Sequence, residues 1–241
     1  MTLFAVERTK LFSTRSPWWC AALAVGLPIA FTGAMAASAD EGLSVSGAMS
    51  GHQFGLMVVL VMAVLAITTE YRFGTIRATF QAVPDRASVL LSKAAVVGVT
   101  GFVLGELAGF GSWGLAQLLA PGPELALDSA DRIREVAGAG PVFAVTAVLA
   151  LGVGTLLRQT AGAVTLLIVW VLLGESLIAL IPNIGSDLVQ WMPFNVGSRF
   201  LTTFDDPSSV PLGPWASLAY FVAFAVVSLG AAIFAVRRRD A

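Results

Sequence analysis

One cysteine and one histidine are all this chain holds of the two residue types that build most metal and redox sites. Cys20 has no partner for an intrachain disulfide, and no zinc cluster can be built around it. Its expected role is that of a small buried hydrophobe. His52 stands alone at the edge of an apolar run. H-E-x-x-H, G-x-S-x-G and the phosphate loop G-x-x-x-x-G-K-[ST] are all missing from the sequence. Hydrolysis and metal catalysis need converging groups of those kinds. The chain is therefore expected not to be an enzyme and to hold no cofactor or metal of its own. Charge is scarce too: 12% of the residues are charged and the net charge is −1, against about 25% charged in an ordinary soluble domain. Such a balance suggests neither nucleic acid nor an acidic partner. There is no internal repeat and no low-complexity tract.

What fills the space is apolar: 57% of the 241 residues, against about 45–50% in soluble domains. The excess is gathered into runs near the length of about 20 residues that crosses a bilayer. Six such runs are expected as spans: Trp18–Ala37, Gly51–Thr69, Val89–Leu119, Pro141–Leu157, Ala161–Ile181 and Trp215–Val236. The third is long enough to tilt. The fourth is short and expected to be tilted or broken, and only Leu157–Ala161 separates it from the fifth. Ala37-Ser38-Ala39 resembles a signal-peptide cleavage site. The run before it is longer than the usual 7–15 residues of a signal core, so it is read as a retained first span. The expected fold is an all-α integral membrane protein, with a six-helix transmembrane domain over residues 17–241.

Orientation follows the basic residues. With both termini in the cytoplasm, that side holds Arg8, Lys10, Arg15, Arg72, Arg77, Arg86, Lys93, Arg158, Arg237, Arg238 and Arg239, which is 11 of the 14. Only Arg132, Arg134 and Arg199 fall outside, among the acids Asp40, Glu41, Glu124, Asp128, Asp131, Glu135, Asp187, Asp205 and Asp206. A multi-pass chain of this kind, lacking an organelle signal, is expected in a plasma membrane, and its Ala, Val and Gly usage suggests a bacterial one. Residues 1–16 set Leu3, Phe4, Val6, Leu11 and Phe12 against Glu7, Arg8, Lys10 and Arg15, a pattern suited to an amphipathic helix lying in the cytoplasmic interface. Between Pro182 and Pro214, five prolines alternate with Trp191, Phe194, Phe200 and Phe204. Aromatic residues favour the interface, so short helices dipping into the outer leaflet are expected there.

The link between the second and third spans carries the most information. Glu70 leaves the apolar run, Gly74 permits a sharp bend, Ile76 and Phe80 give a short amphipathic turn, and Pro84 opens a new element. In its order Glu70, Gly74-Thr75, Pro84, Arg86, Lys93, this link resembles the type-two membrane permeases of ATP-binding-cassette exporters, the ABC-2 family. Leu151–Arg158, with Gly152 and Gly154, is similar to that family's fourth-span end, and Arg237-Arg238-Arg239-Asp240-Ala241 to its terminus. The resemblance covers the whole chain in topology and three short segments in detail. Tyr71-Arg72 departs from the more acidic residues that often follow the Glu. The resemblance implies a six-helix permease with an N-terminal interfacial helix and re-entrant helices before the last span. It also implies pairing with a second permease copy or a paralogue. A cytoplasmic ATPase subunit carrying ATP and Mg would dock on a coupling loop of Glu70, Arg72, Gly74, Thr75, Arg77, Pro84 and Arg86. Further implied partners are membrane lipid and a small amphipathic substrate: a drug, an antibiotic, a lipid or a peptide, whose efflux would confer antibiotic resistance.

Two carboxylates stand inside spans. An ionisable group at the bilayer centre costs about 2.5–3.5 kcal/mol on insertion scales, so it faces protein or water. Glu106 lies about 22 Å along its helix from Leu91, and Glu175 about 21 Å from Ala161. Their similar depth lets them face one cavity and contact cargo, with Trp170, beside Gly174, as a further pathway candidate. The competing expectation is structural: a hydrogen bond to a neighbouring helix, or a pair with Arg199. Gly101, Gly105 and Gly109 clear one stripe of the third span for a close helix, in a dimer contact or within one subunit. Two other functions stay open. One is a permease for an ion or a lipid-linked polymer. The other is a non-transporting membrane scaffold or immunity protein.

Overall fold

The computed structural model describes residues 3–39, 42–203 and 211–238. Asp40, Glu41, Phe204–Val210 and Arg239–Ala241 lie outside the described residues, so the expectations resting on them go no further. Among the described residues every regular element is helical. Six helical stretches are long and apolar enough to cross a membrane: Arg15–Ala37, Val45–Arg72, Arg86–Leu119, Ala130–Leu157, Thr160–Ala179 and Pro214–Arg238. These are the six apolar runs of the sequence, each starting one or more residues earlier than its run, and the fifth ending two residues short, at Ala179. The chain is an all-α protein with the make-up of a multi-pass membrane protein.

Helix α1 (Leu3–Phe12) precedes the first span, α2 (Arg15–Ala37). The short α3 (Val45–Met49) leads into the second, α4 (His52–Arg72). Helix α5 (Thr75–Ala82) fills the link to the third span, α6 (Arg86–Leu119), 34 residues long. At about 1.5 Å per residue, α6 exceeds a hydrocarbon core of about 30 Å and reaches past it or tilts. Asp85 starts it: its carboxylate accepts from the Ala87 N–H and the Ser88 hydroxyl. The Ser88 hydrogen bond, aided by the first backbone N–H groups, holds the Asp85 carboxyl below its ordinary value.

The fourth span is longer than its apolar run. Helix α7 (Ala130–Ala137) passes into α8 (Ala139–Leu157) with only Gly138 between them. Asp131, Arg132, Arg134 and Glu135 are therefore helical and not part of an outer loop. Charge alone hides this because partners for these charges come largely from elsewhere in the fold. Arg134 donates to the Phe200 carbonyl and to Asp131 at 3.1 Å, and Glu135 accepts from Ser46 at 3.3 Å. Gly138 leaves room where a Cβ would meet the Arg134 carbonyl oxygen at 2.4 Å.

Helix α8 is the centre of the bundle and packs on α4, α6 and the sixth span, α13 (Pro214–Arg238). Phe143 and Leu151 of α8 are fully buried. The fifth span flanks α4 and α8, and most of its large side chains are exposed, Leu173 and Leu177 among them. It runs as α9 (Thr160–Val169), a π-helical turn over Trp170–Gly174 and α10 (Glu175–Ala179). Helices α11 (Gly185–Val189) and α12 (Pro193–Ser198) and a 3₁₀ turn (Arg199–Leu201) follow before α13. Both described chain ends lie on one face, because Glu7 reaches Lys93 at the start of α6 and Arg86 donates to the carbonyl of Val236 near the end of α13. That face is called the N-terminal face below, and the opposite one the far face.

Candidate functional site

The N-terminal face carries the link between the second and third spans. Gly74 adopts φ +70°, a left-handed conformation that L side chains adopt only at a cost. This turns the chain from α4 into α5. Ile76 and Phe80 are buried, while Arg77, Ala78 and Gln81 face outward. A single turn of α5 thus separates an anchored face from a presented one. Phe73 precedes the helix with 71% of its surface exposed and the Arg72 guanidinium 5.5 Å from its ring centre. Pro84 is exposed, and Arg86 lies 5.4 Å from the Phe80 ring centre while bonding Val236 at 2.7 Å. Arg158, at φ 55°, closes α8 and lays its guanidinium 5.1 Å from the Tyr71 ring centre.

Behind this link sits a charge cluster that reading the loop alone misses. Lys93 donates to Glu7 of α1 and, at 2.7 Å, to Glu70. Lys10 donates to Glu7 at 2.7 Å and to the Thr79 hydroxyl of α5 at 3.1 Å, and comes within 3.5 Å of Glu70. Four charged groups from α1, α4 and α6 thereby gather beneath α5. Helix α1 buries Glu7 together with Leu11, while Phe4 is 41% exposed. The amphipathic pattern of residues 1–16 set Glu7 on the water side. The buried lysine opposite reverses that side, because a buried ammonium left without a counter-charge is costly and Glu7 supplies one.

On the far face a cavity of about 530 Å³ opens between α4, α8, the fifth span, α12 and α13, lined by His52, Gln53, Glu175, Asn195, Ser198 and Phe221 among others. Glu175 is 7% exposed. It accepts from the Phe194 N–H at 2.9 Å and the Asn195 N–H at 2.7 Å. Those are first-turn donors of α12, groups that a helix leaves without internal partners. The carboxylate therefore closes the start of α12 as well as lining the cavity. Arg199 does not pair with it: its Nη2 donates to Asn195 Oδ1 at 3.0 Å, so the two charges meet through Asn195. Burial pushes the Arg199 guanidinium below its ordinary value. The π turn just before Glu175 shifts the helical register by one residue, a device that recurs at functional positions.

The Trp170 side chain reaches the Glu175 carboxylate, and the remaining candidates lie elsewhere. Trp170 starts the π turn, with Cε3 3.1 Å from where a Cβ on Gly174 would stand. It is not on the lining of the far-face cavity, nor is Glu106. Glu106 presses its carboxylate on Gly140, so within this chain the two intramembrane acids do not share a cavity. Gly101, Gly105 and Gly109 all face the fourth span. A Cβ on each would meet the carbonyl oxygens of Phe143, Ala139 and Val136 at 2.9, 2.4 and 2.5 Å. The stripe brings two helices of one chain together. Comparison of the sequence with protein-family models and with curated proteins finds no match.

Proposed function

We propose that this chain is the membrane permease of an ATP-driven exporter similar to the ABC-2 family. The observation that carries the reading is α5, a short surface helix held from beneath by Ile76 and Phe80 and presenting Arg77, Ala78 and Gln81 outward beside exposed Phe73. A surface helix anchored on one face suits insertion into a groove of a partner. Its roots favour transmission: Glu70–Lys93 couples the link to α1 and α6, and Arg86–Val236 couples it to α13. In this reading the N-terminal face is cytoplasmic, in keeping with the excess of Lys and Arg on that side. A separate ATPase subunit binds ATP and Mg, docks on residues 70–86 and drives alternating access.

A second permease copy or a paralogue completes the pathway, and α11 and α12 dip into the outer leaflet. The cargo is amphipathic: a drug, an antibiotic, a lipid or a peptide. It passes the far-face cavity beside Glu175, with Trp170 behind that carboxylate, and Glu106 is a contact outside that cavity. The test is purification from the native membrane in mild detergent with mass spectrometry of whatever is retained. A stoichiometric P-loop ATPase, lost when residues 73–82 are scrambled, is the expected result. Recovery of the chain alone even after cross-linking would overturn the reading and leave the scaffold, or a channel, in its place.

A further inference from the structure

A groove of about 670 Å³ opens on the N-terminal face between α4 and α9, at the short link that joins the fourth and fifth spans. Its volume lies within the range of about 300–1,000 Å³ typical of small-ligand sites. One end is basic: Arg72, the last residue of α4, and Arg158, just past the end of α8, both line it. The walls running from that end are apolar, with Val61 and Leu65 on α4 and Val164 on α9. Two threonines of the lining serve each other. Thr160 donates to the Thr68 hydroxyl at 2.8 Å, and Thr68 donates to the Val64 carbonyl at 2.9 Å.

The arginines are what the groove leaves unbalanced. Among the described residues neither is in an ion pair, and no acid lines the groove. Each guanidinium lies instead against a ring, Arg72 5.5 Å from the Phe73 centre and Arg158 5.1 Å from that of Tyr71. A ring face orients a guanidinium and leaves most of its five N–H donors for an oxyanion. Two like charges at one end of a groove repel each other, so an anion between them gains from both. Basic pockets between spans on the cytoplasmic side recognise anionic headgroups. The walls decide between a lipid and a free ion. Val61 stands 11 positions before Arg72, which is about 16 Å of helix. One leaflet contributes about half of a hydrocarbon core of about 30 Å. The apolar wall thus runs from the charged end for the depth of one leaflet.

We propose that this groove binds one anionic phospholipid from the leaflet at the N-terminal face. Its phosphate sits between Arg72 and Arg158, and one acyl chain lies along Leu65, Val61 and Val164. A zwitterionic headgroup brings an ammonium beside two guanidiniums and loses part of the attraction. A free phosphate leaves the apolar walls uncovered. The site belongs to the chain whether or not the chain exports anything, and none of the outward residues of α5 lines it.

The experiment is native mass spectrometry of the full chain in mild detergent, titrated with phosphatidylglycerol and phosphatidylcholine of identical acyl chains. The wild-type chain is expected to hold one phosphatidylglycerol about thirtyfold more tightly than phosphatidylcholine, roughly fivefold for each basic residue. Arg72→Gln and Arg158→Gln are each expected to lose about fivefold of that preference, and the double variant to bring the two lipids level. Arg77→Gln removes a charge of the same face outside the groove and is expected to keep the preference. Ala161→Trp narrows the groove at an exposed position, leaves both arginines in place and is expected to remove the tight adduct. The wild-type adduct is expected to persist in millimolar inorganic phosphate. Equal binding of the two lipids by the wild-type chain would overturn the proposal. So would an equal loss in Arg77→Gln and Arg72→Gln, because the attraction would then belong to the whole face. Displacement by inorganic phosphate would make a free anion the occupant and overturn the lipid assignment.

Discussion

Lys93 and Glu7, 86 positions apart in the chain, form an ion pair with side chains only 5% and 2% exposed. Removing one member of a buried pair strands the other charge, at a cost of about 3–5 kcal/mol. Lys93→Met is expected to be the most damaging single change in the cluster. It leaves Glu7 and Glu70 together with only Lys10, whose side chain is 34% exposed, to offset them. Adding Glu7→Gln to Lys93→Met is expected to cost less than the sum of the two alone. Thermal unfolding midpoints of the singles and the double, in one detergent, measure the coupling. Additive losses would mean the pair contributes no joint stabilisation.

Glu175 is predicted to act first as a support for α12. Glu175→Ala strands the buried Phe194 N–H and the half-buried Asn195 N–H, a loss of about 1–3 kcal/mol for the buried donor and less for the other. Glu175→Gln keeps an acceptor and is expected to lose less. Limited proteolysis between residues 180 and 203 reports the support directly, with the Ala variant cut faster than the Gln variant. In a transport assay, a Gln variant with intact protection and no export would show that the charge itself meets the cargo. Export by the Gln variant and not by the Ala variant would confine Glu175 to the support.

The six spans were legible because hydropathy is a run-length property, and burial in lipid or in protein selects the same residues. Their ends were not. Residues 130–137 carry a charge density that reads as loop, and it is the distant Phe200 carbonyl and Ser46 hydroxyl that partner Arg134 and Glu135 on the buried side of this helix. The bend at Gly74 and the buried faces of Ile76 and Phe80 could be read locally, since the bend needs only a glycine and the two apolar residues stand four apart on one helix face. The Glu7–Lys93 pair could not: it depends on which helices meet, and no local pattern encodes a partner 86 residues off. Glu106 and Glu175 show the same limit, because equal depth along two helices fixes height and leaves the facing direction open.

The glycine stripe of α6 sets a graded expectation. At Gly105 a methyl group would stand 2.4 Å from the Ala139 carbonyl oxygen, and at Gly101 2.9 Å from that of Phe143. Both contacts are with backbone, which cannot rotate away. Gly105→Ala is expected to destabilise by about 1–3 kcal/mol through overpacking, and Gly101→Ala by less. At Gly114, on the same helix, nothing lies within 4 Å of the added methyl. Gly114→Ala is therefore expected to be neutral or to stabilise by up to about 1 kcal/mol, the helical advantage of alanine over glycine. Thermal unfolding of the three variants checks the order. Equal responses at positions 105 and 114 would mean that α6 and α8 are not in this close contact.

Gly74 separates the anchoring of α5 from its presentation. Its added Cβ would meet nothing within 4 Å, so any penalty comes from φ +70° alone. Gly74→Ala is expected to cost about 1–2 kcal/mol, the strain of an L side chain in the left-handed region. Gly74→Asn is expected to cost less, because a short polar side chain tolerates that region. Because the Glu70–Lys93 and Arg86–Val236 contacts lie outside the turn, the spans are expected to stay assembled while α5 shifts. Cross-linking from an introduced cysteine at Gln81 to a retained partner, in a Cys20→Ser background, follows that shift. Weaker cross-linking in the order Gly, Asn, Ala, with unchanged assembly of the spans, is the expected result. Unchanged cross-linking in all three would mean that the presented face of α5 does not depend on the turn.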